Sequence, residues 1–261
     1  MGVDAAARIS VERVGRVARL VIDAPPLNLL TPELIEDWLA TLDALERERG
    51  LRCLLVTGRG ERAFSAGAKL DREVGTSAAD AIAFREAGRR LVLRIETYAI
   101  PVVAAVRGWC IGGGFAIAQA CDVRLAAEDA RFRTGDAYIG VVPSWGVSLT
   151  RLVHYIGRNR AMDMLMLGED LTAQQAEAFG LITRVLPGPQ FDDLAMGVAE
   201  RVAGGSPRVF RAIKESMRAQ YAEGVFAAEA IETAWSDRLR GSADQHEGIA
   251  ALKERRAPVF E

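Results

Sequence analysis

Three consecutive glycines, Gly112, Gly113 and Gly114, separate a short branched run, Val102 to Val106, from a small-residue apolar stretch, Phe115 to Ala120, within PVVAAVRGWCIGGGFAIAQACD. The run is continuous and short, as a strand covered on both faces should be, and the stretch after the glycines is helix-compatible with apolar spacing. At a helix start the first backbone N–H groups lack intrahelical partners and the macrodipole is positive, so an oxygen carrying negative charge is stabilised there. Glycine lets that oxygen come close to the backbone. The oxygen is either a phosphate or an oxyanion that develops during reaction. No Gly-Lys-Ser/Thr follows, and the spacing from Gly108 does not make G-x-G-x-x-G, which argues against phosphate. Alone, a glycine triplet reads as tight helix–strand packing. A second glycine-bearing turn after a strand, AFSAGAKLD from Ala63 to Asp71 following Cys53 to Thr57, shifts the balance toward chemistry.

Other reactive residue types are weaker candidates. Ser65 in AFSAG resembles a nucleophile elbow but lacks the first glycine of G-x-S-x-G, and its potential bases, His154 and His246, read as core and surface residues. Cys53, Cys110 and Cys121 stand in apolar surroundings with neither a CxxC nor a metal-ligand spacing, so buried free thiols in a reducing compartment are expected, and no metal. Arg85, Arg89, Arg90 and Arg94 share one amphipathic segment; RNA or phosphate contact is the sharper reading, a solvated face the favoured one. With 261 residues, 50% of them hydrophobic, and a net charge of −2, the chain suits one core with an appended subdomain and gives no global argument for nucleic acid or an anionic membrane. No charged-then-apolar leader opens it and no apolar run approaches the ~20 residues of a membrane helix, so a cytoplasmic protein is expected.

The elements that must position the glycine turns follow from the pattern. Strands are predicted at Ile9 to Val14, Arg16 to Asp23, Cys53 to Thr57, Val102 to Val106, Val123 to Ala126 and Leu181 to Val185. A helix capped by Thr31 with Pro32 at its first position buries Leu34, Trp38, Leu42 and Leu45. Others run from Ala78 to Thr97, with Ile82, Leu91 and Ile95 inward, from Gly146 to Ile156 and from Thr172 to Phe179. The alternation predicts an α/β core with parallel strands over residues 1–204. Beyond Gly204-Gly205 three helices, Pro207 to Tyr221, Val225 to Leu239 and Ala243 to Arg255, make a 205–261 subdomain whose apolar faces must pack on the core or on a neighbouring subunit.

Taken in order, AFSAGAKLD, GWCIGGGFAIAQACD, YIGVVPSWG, LTAQQAEAFGLITRVLP and GSADQHEGIAALKERRAPVF resemble the crotonase superfamily, the enoyl-CoA hydratase/isomerase family, from about residue 9 to the C-terminus. The resemblance implies a spiral of ββα turns, C-terminal helices that assemble trimers or dimers of trimers, and an acyl-CoA substrate. Coenzyme A enters as part of that thioester, with no prosthetic group. It also implies that the thioester oxygen sits between the backbone N–H groups of Ala68 and Gly113, that CoA lies along the turn at Ala66 with Gly112 alongside, and that Arg255 reaches the nucleotide phosphates. For Arg255 the competing reading is a surface residue at a helix end. Trp109 and Trp145 are candidate pocket walls, with packing as the alternative, and residues 72–80 are expected to border the acyl chain.

Hydratases of this family hold water with two glutamates. Here those positions are Ala116 and Asp136, so the resemblance leaves one acid–base group. Enoyl-CoA isomerisation therefore leads, hydratase/lyase chemistry follows, and a binding scaffold without activity is the third reading. Asp136 beside an apolar acyl chain would have its pKa raised by desolvation; the bland alternative is a Gly-Asp turn. Lys69 stands where relatives often carry aspartate, and Ser144 where some carry a further acid.

Overall fold

The computed structural model describes residues 8–69, 77–134, 136–139, 145 and 148–260. Strands β1 (Arg8–Val14) and β2 (Val17–Asp23) form an antiparallel hairpin. Its turn is made by Gly15 at φ 54°, where a side chain would be strained. The chain then repeats one pattern: a long strand, a short strand, a helix. Helix α1 (Pro32–Glu46) leads to β3 (Cys53–Gly58) and β4 (Ala63–Ser65), α2 (Ala78–Glu96) to β5 (Val102–Val106) and β6 (Trp109–Ile111), and α3 (Gly113–Ala120) to β7 (Val123–Ala127) and β8 (Arg131–Arg133). Among the described residues, the long strands and the three-residue β10 (Arg184–Leu186) join a sheet ordered β1-β2-β3-β5-β7-β10. Short ones join a second sheet, β4-β6-β8-β9, with β9 at Leu171–Thr172. From β2 to β10 the first sheet is parallel, and β4, β6 and β8 are parallel in the second. This is the expected α/β class in its crotonase-type spiral form.

Helix α1 starts as predicted: the Thr31 side chain accepts from the Leu34 N–H, Pro32 follows, and Leu34, Trp38, Leu42 and Leu45 are buried. Together α1, α2 and α3 cover one face of the first sheet. The other face is covered by α6 (Phe191–Ala203), through Phe191, Ala195, Ala199 and Ala203 against Val17, Leu55, Val103 and Leu125. Sequence reasoning missed α6, whose buried stripe is mostly alanine.

Four expectations shift. The run from Val106 to the glycines is interrupted by β6, which pairs with β4. The strand expected at Leu181 to Val185 begins at Arg184, because Gly180 (φ 80°), Leu181 and Ile182 close α5 (Ala173–Ala178), the last two donating to the Ala176 carbonyl. Ile82 is exposed, since it stands opposite the α2 stripe of Phe84, Ala87, Leu91 and Ile95. The helix expected to end at Ile156 instead runs as α4 (Ser148–Leu167), broken at Gly157.

Helices α7 (Pro207–Ala222), α8 (Val225–Leu239) and α9 (Ala243–Glu254) follow the predicted bounds closely. The Lys214 ammonium ties α7 to the core through Asp122 Oδ2 at 2.6 Å, and Ser216 Oγ donates to Glu232 of α8 at 2.7 Å. Among the described residues no helix is long and apolar enough to cross a membrane.

Helix α3 approaches β4 closely at Gly114, where an added Cβ would lie 2.4 Å from the Ser65 carbonyl oxygen. Gly197 on α6 has nothing within 4 Å. Gly114→Ala is expected to lower the urea stability by about 1–3 kcal/mol, whereas Gly197→Ala raises it by about 0.5–1 kcal/mol.

Candidate active site

Two glycine turns are pressed together at the start of α3. Gly67 has φ 87°, and a Cβ there would lie 2.9 Å from the Ile111 carbonyl oxygen and 3.4 Å from Gly113 N. Leu30 fixes the register of the first turn: its N–H donates to the Gly67 carbonyl at 2.9 Å, and its carbonyl accepts from Lys69 N–H at 3.0 Å. A parallel bridge of this kind uses the groups flanking Ala68, so the N–H of Ala68 points away from Leu30. The half-buried Ala66 is held by its N–H donating to the Leu27 carbonyl at 2.9 Å. Ser65 Oγ donates to the Asn28 carbonyl at 2.8 Å and accepts the Gly67 N–H at 3.2 Å. Fully buried and so engaged, Ser65 is a turn anchor, not a nucleophile.

Gly112 caps α3 in a backbone conformation (φ 52°, ψ −116°) that L side chains disfavour. The first intrahelical bond runs from Ala116 N–H to the Gly112 carbonyl, so the N–H groups of Gly113, Gly114 and Phe115 have no intrahelical acceptor. At the opposite end Arg124, almost wholly buried, donates to the carbonyls of Cys121 (2.6 Å) and Gln119 (3.4 Å), and the Tyr155 hydroxyl donates to the Gln119 carbonyl at 3.0 Å. A cation at the negative end and bare N–H groups at the positive end orient α3 as an anion-stabilising dipole. The Arg124 anchor was missed from sequence; an arginine inside the apolar run VRLAA was its signal.

Trp145 roofs this helix start. A Cβ on Gly113 would be 2.8 Å from its ring and 3.1 Å from Leu30 Cδ1, one on Gly88 2.5 Å from the same ring, and Phe84 meets it edge-on at 5.3 Å. Between α1 and α2, a cavity of about 400 Å³ is lined by Leu30, Pro32, Lys69, Phe84, Ala87 and Arg90. Lys69 places this cavity directly beside Ala68. Trp109 does not reach it: with Arg133 stacked on its ring at 5.2 Å, it lines a separate cavity of about 340 Å³ with Leu27, Arg62 and Arg131. Arg255 ends α9 in a left-handed conformation (φ 54°), exposed and lining neither cavity. Ser144 and residues 72–76 lie outside the described residues.

Asp136 opens a short 3-10 turn, Asp136–Ile139, at the mouth of α3. Its Oδ1 is 3.9 Å from where a Gly112 side chain would begin, and its Oδ2 is buried with no hydrogen-bond partner among the described residues. Burial raises its pKa, partly opposed by its own backbone N–H. One turn into α3, Ala116 is buried. Arg85 and Arg89 pair with Glu86, Arg90 with Glu36, and Arg94 with Asp43 and Glu46, as a solvated charged face would. Burial pushes Cys53 and Cys121 up to about 12, which leaves both as inert thiols.

A family model described as enoyl-CoA hydratase/isomerase matches residues 12–261. The chain is similar to a 2,3-dehydroadipyl-CoA hydratase of Escherichia coli, 31% identical over 251 residues, with 96% of this chain and 97% of that one covered. It is also similar to a short-chain-enoyl-CoA hydratase of Clostridium acetobutylicum, 26% identical with 95% of each covered. Among solved structures, an enoyl-CoA hydratase from Bacillus anthracis superposes with a TM-score of 0.92 at 29% identity, covering 97% of this chain and 98% of that one. Pseudomonas aeruginosa DspI superposes at 0.93 with 26% identity, covering 100% and 98%.

The raised pKa of Asp136 has a stability consequence. The folded protein favours the neutral carboxyl, so stability from this group is full below the ordinary value of 3.8 and is lost as pH rises through the folded pKa. Asp136→Asn is therefore expected to melt above wild type at pH 7, with the difference shrinking toward pH 4, as scanning calorimetry at the two pH values will read.

Proposed function

This chain belongs to the enoyl-CoA hydratase/isomerase family, and from that premise we propose an acyl-CoA enzyme in which Ala68 and Gly113 hold an enolate oxygen and Asp136 is the sole acid–base group. Coenzyme A enters as part of the substrate and no prosthetic group takes part. The observation that carries the reading is the pairing of a buried alanine at 116 with a half-buried carboxylate at 136 beside the start of α3. A neutral thioester carbonyl becomes an oxyanion when the α-proton leaves, and two fixed N–H donors bind that charge better than the ground state. Each such donor contributes about 3–4 kcal/mol in comparable sites.

Isomerisation needs no more than these groups. Asp136 takes a proton from C2 of a 3-enoyl thioester, and the C2–H electron pair becomes the enolate double bond as charge moves to oxygen. Return of the proton to C4 draws the double bond to C2–C3, leaving Asp136 ionised as it began. A carboxylate whose pKa is raised by burial is a stronger base than one in water. The cavity beside Ala68 suits the acyl chain, with Phe84 and Ala87 in its wall and Trp145 packed against Phe84. Hydration is the second reading, favoured because relatives at this similarity are named as hydratases. Val209, Ile213 and Met217, exposed along α7 at four-residue spacing, suit burial in a trimer or dimer of trimers.

Paired 2-enoyl- and 3-enoyl-CoA substrates in deuterated water, followed by mass spectrometry, test the reading. Double-bond migration and deuterium uptake should fall at least ~100-fold in Asp136→Asn while a saturated acyl-CoA still binds. Wild type that binds the thioester but neither exchanges nor converts it would contradict the proposal.

A further inference from the structure

Gln119 is a buried residue whose side chain the fold leaves unaccounted for. It is 1% exposed, and neither Oε1 nor Nε2 has a hydrogen-bond partner among the described residues. A buried primary amide with both ends unpaired is costly, and such groups are normally satisfied by protein or by an internal water. Its neighbours in sequence, Ile117, Ala118 and Ala120, are apolar, as the interior of a core helix should be. Position 119 is thus the polar exception on the inner part of α3.

The helix geometry says where that amide is aimed. At about 100° per residue, Gly112, Phe115, Ala116 and Gln119 share one sector of α3, whereas Gly113 and Gly114 turn toward Trp145 and Ser65. Asp136 stands at the top of the Gln119 sector, against Gly112. Long side chains on a helix lean toward its N-terminus, so the Gln119 amide covers the turn of Phe115 and Ala116. On that side the turn between it and Asp136 carries Ala116, whose side chain is no more than a methyl group. The remaining distance is about one helical turn, roughly 5.4 Å, which is the span of two hydrogen bonds of about 2.8 Å through one bridging oxygen. The buried, unpaired Oδ2 of Asp136 is the second partner that such a bridge requires.

We propose that Gln119 is a positioning residue of the site, its amide holding one water molecule against Asp136 in the space beside Ala116. The inference rests on Asp136 being the acid–base group and extends the same base to a second reaction. Asp136 removes one proton from the held water as its oxygen bonds to C3 of a 2-enoyl thioester, and the C2–C3 π pair moves onto the thioester oxygen. Asp136 then returns the proton to C2, so one water has added as OH and H. Isomerisation uses Asp136 alone; hydration uses Asp136 and Gln119.

The test compares wild type, Gln119→Leu and Gln119→Glu in two assays, hydration of a four-carbon 2-enoyl-CoA and Asp136-dependent deuterium uptake at C2 of the matching 3-enoyl-CoA. Gln119→Leu should lower the ratio of hydration to exchange at least tenfold, and Gln119→Glu, which keeps an oxygen at the same reach, should recover most of it. An unchanged ratio in Gln119→Leu, or a wild type that exchanges but does not hydrate, overturns the proposal while leaving the role of Asp136 standing. Equal loss of both reactions in both variants makes Gln119 a packing residue and also overturns it. Exchange that survives Asp136→Asn removes the premise and the proposal with it.

Discussion

The structure depends on one steric constraint: the start of α3 is buried against two turns so closely that no side chain fits. At Gly67 a Cβ would meet the Ile111 carbonyl, at Gly113 the Trp145 ring, and at Gly114 the Ser65 carbonyl. What that closeness secures is a set of backbone donors in a low-dielectric setting, where an N–H aimed at developing charge needs no reorganisation when the charge appears. The two sheets serve this contact. β4 and β6, adjacent and parallel in the second sheet, each deliver one glycine turn to the same place. The repeated ββα unit is what makes two turns distant in sequence neighbours in space.

Electrostatics at the two ends of α3 are complementary. Arg124 and Tyr155 occupy the terminal carbonyls, which fixes the helix and leaves its N-terminal N–H groups as the unspent pole. Asp136 sits at that positive pole, where a carboxylate would ordinarily be stabilised. Burial nevertheless dominates and raises its pKa. A carboxylate held in this way is less stable when ionised and correspondingly readier to take a proton, so the desolvation that costs folding stability is the same one that suits the proton transfer proposed for it. In the proposed reaction, with alanine at 116, proton transfer turns on this one group and on whatever neutral polar groups stand near it.

Much of this was legible in the sequence for local reasons. Thr31-Pro32 announces the start of α1 through capping, and Gly112 to Gly114 after a branched strand announces α3, because both signals reside in adjacent residues. The short strand β6 was not legible, since Trp109, Cys110 and Ile111 are too few to show a period and their pairing to β4 is long-range. Helix α6 went unread because its buried stripe is mostly alanine, which gives little hydropathy contrast. At the site the Gly67 turn lies against Gly113 and Asp136 lies near Gly112, whereas Trp109 and Trp145 look alike in sequence, yet Trp145 packs on Gly113 and Gly88 and Trp109 lines a separate cavity. The demand of Gln119 for a partner became visible only when its burial was known.

The most direct measurement of the central claim is the ¹³C chemical shift of the thioester carbonyl in a [1-¹³C] saturated acyl-CoA bound to the Asp136→Asn protein, where reaction is silent and the hydrogen-bond donors are intact. Two converging N–H groups at the start of α3 should polarise that carbonyl and move its resonance downfield of the free thioester in buffer. A bound ligand whose carbonyl resonates at the free position would contradict the account, because the oxygen would then lie outside the cradle that Ala68 and Gly113 are held to form.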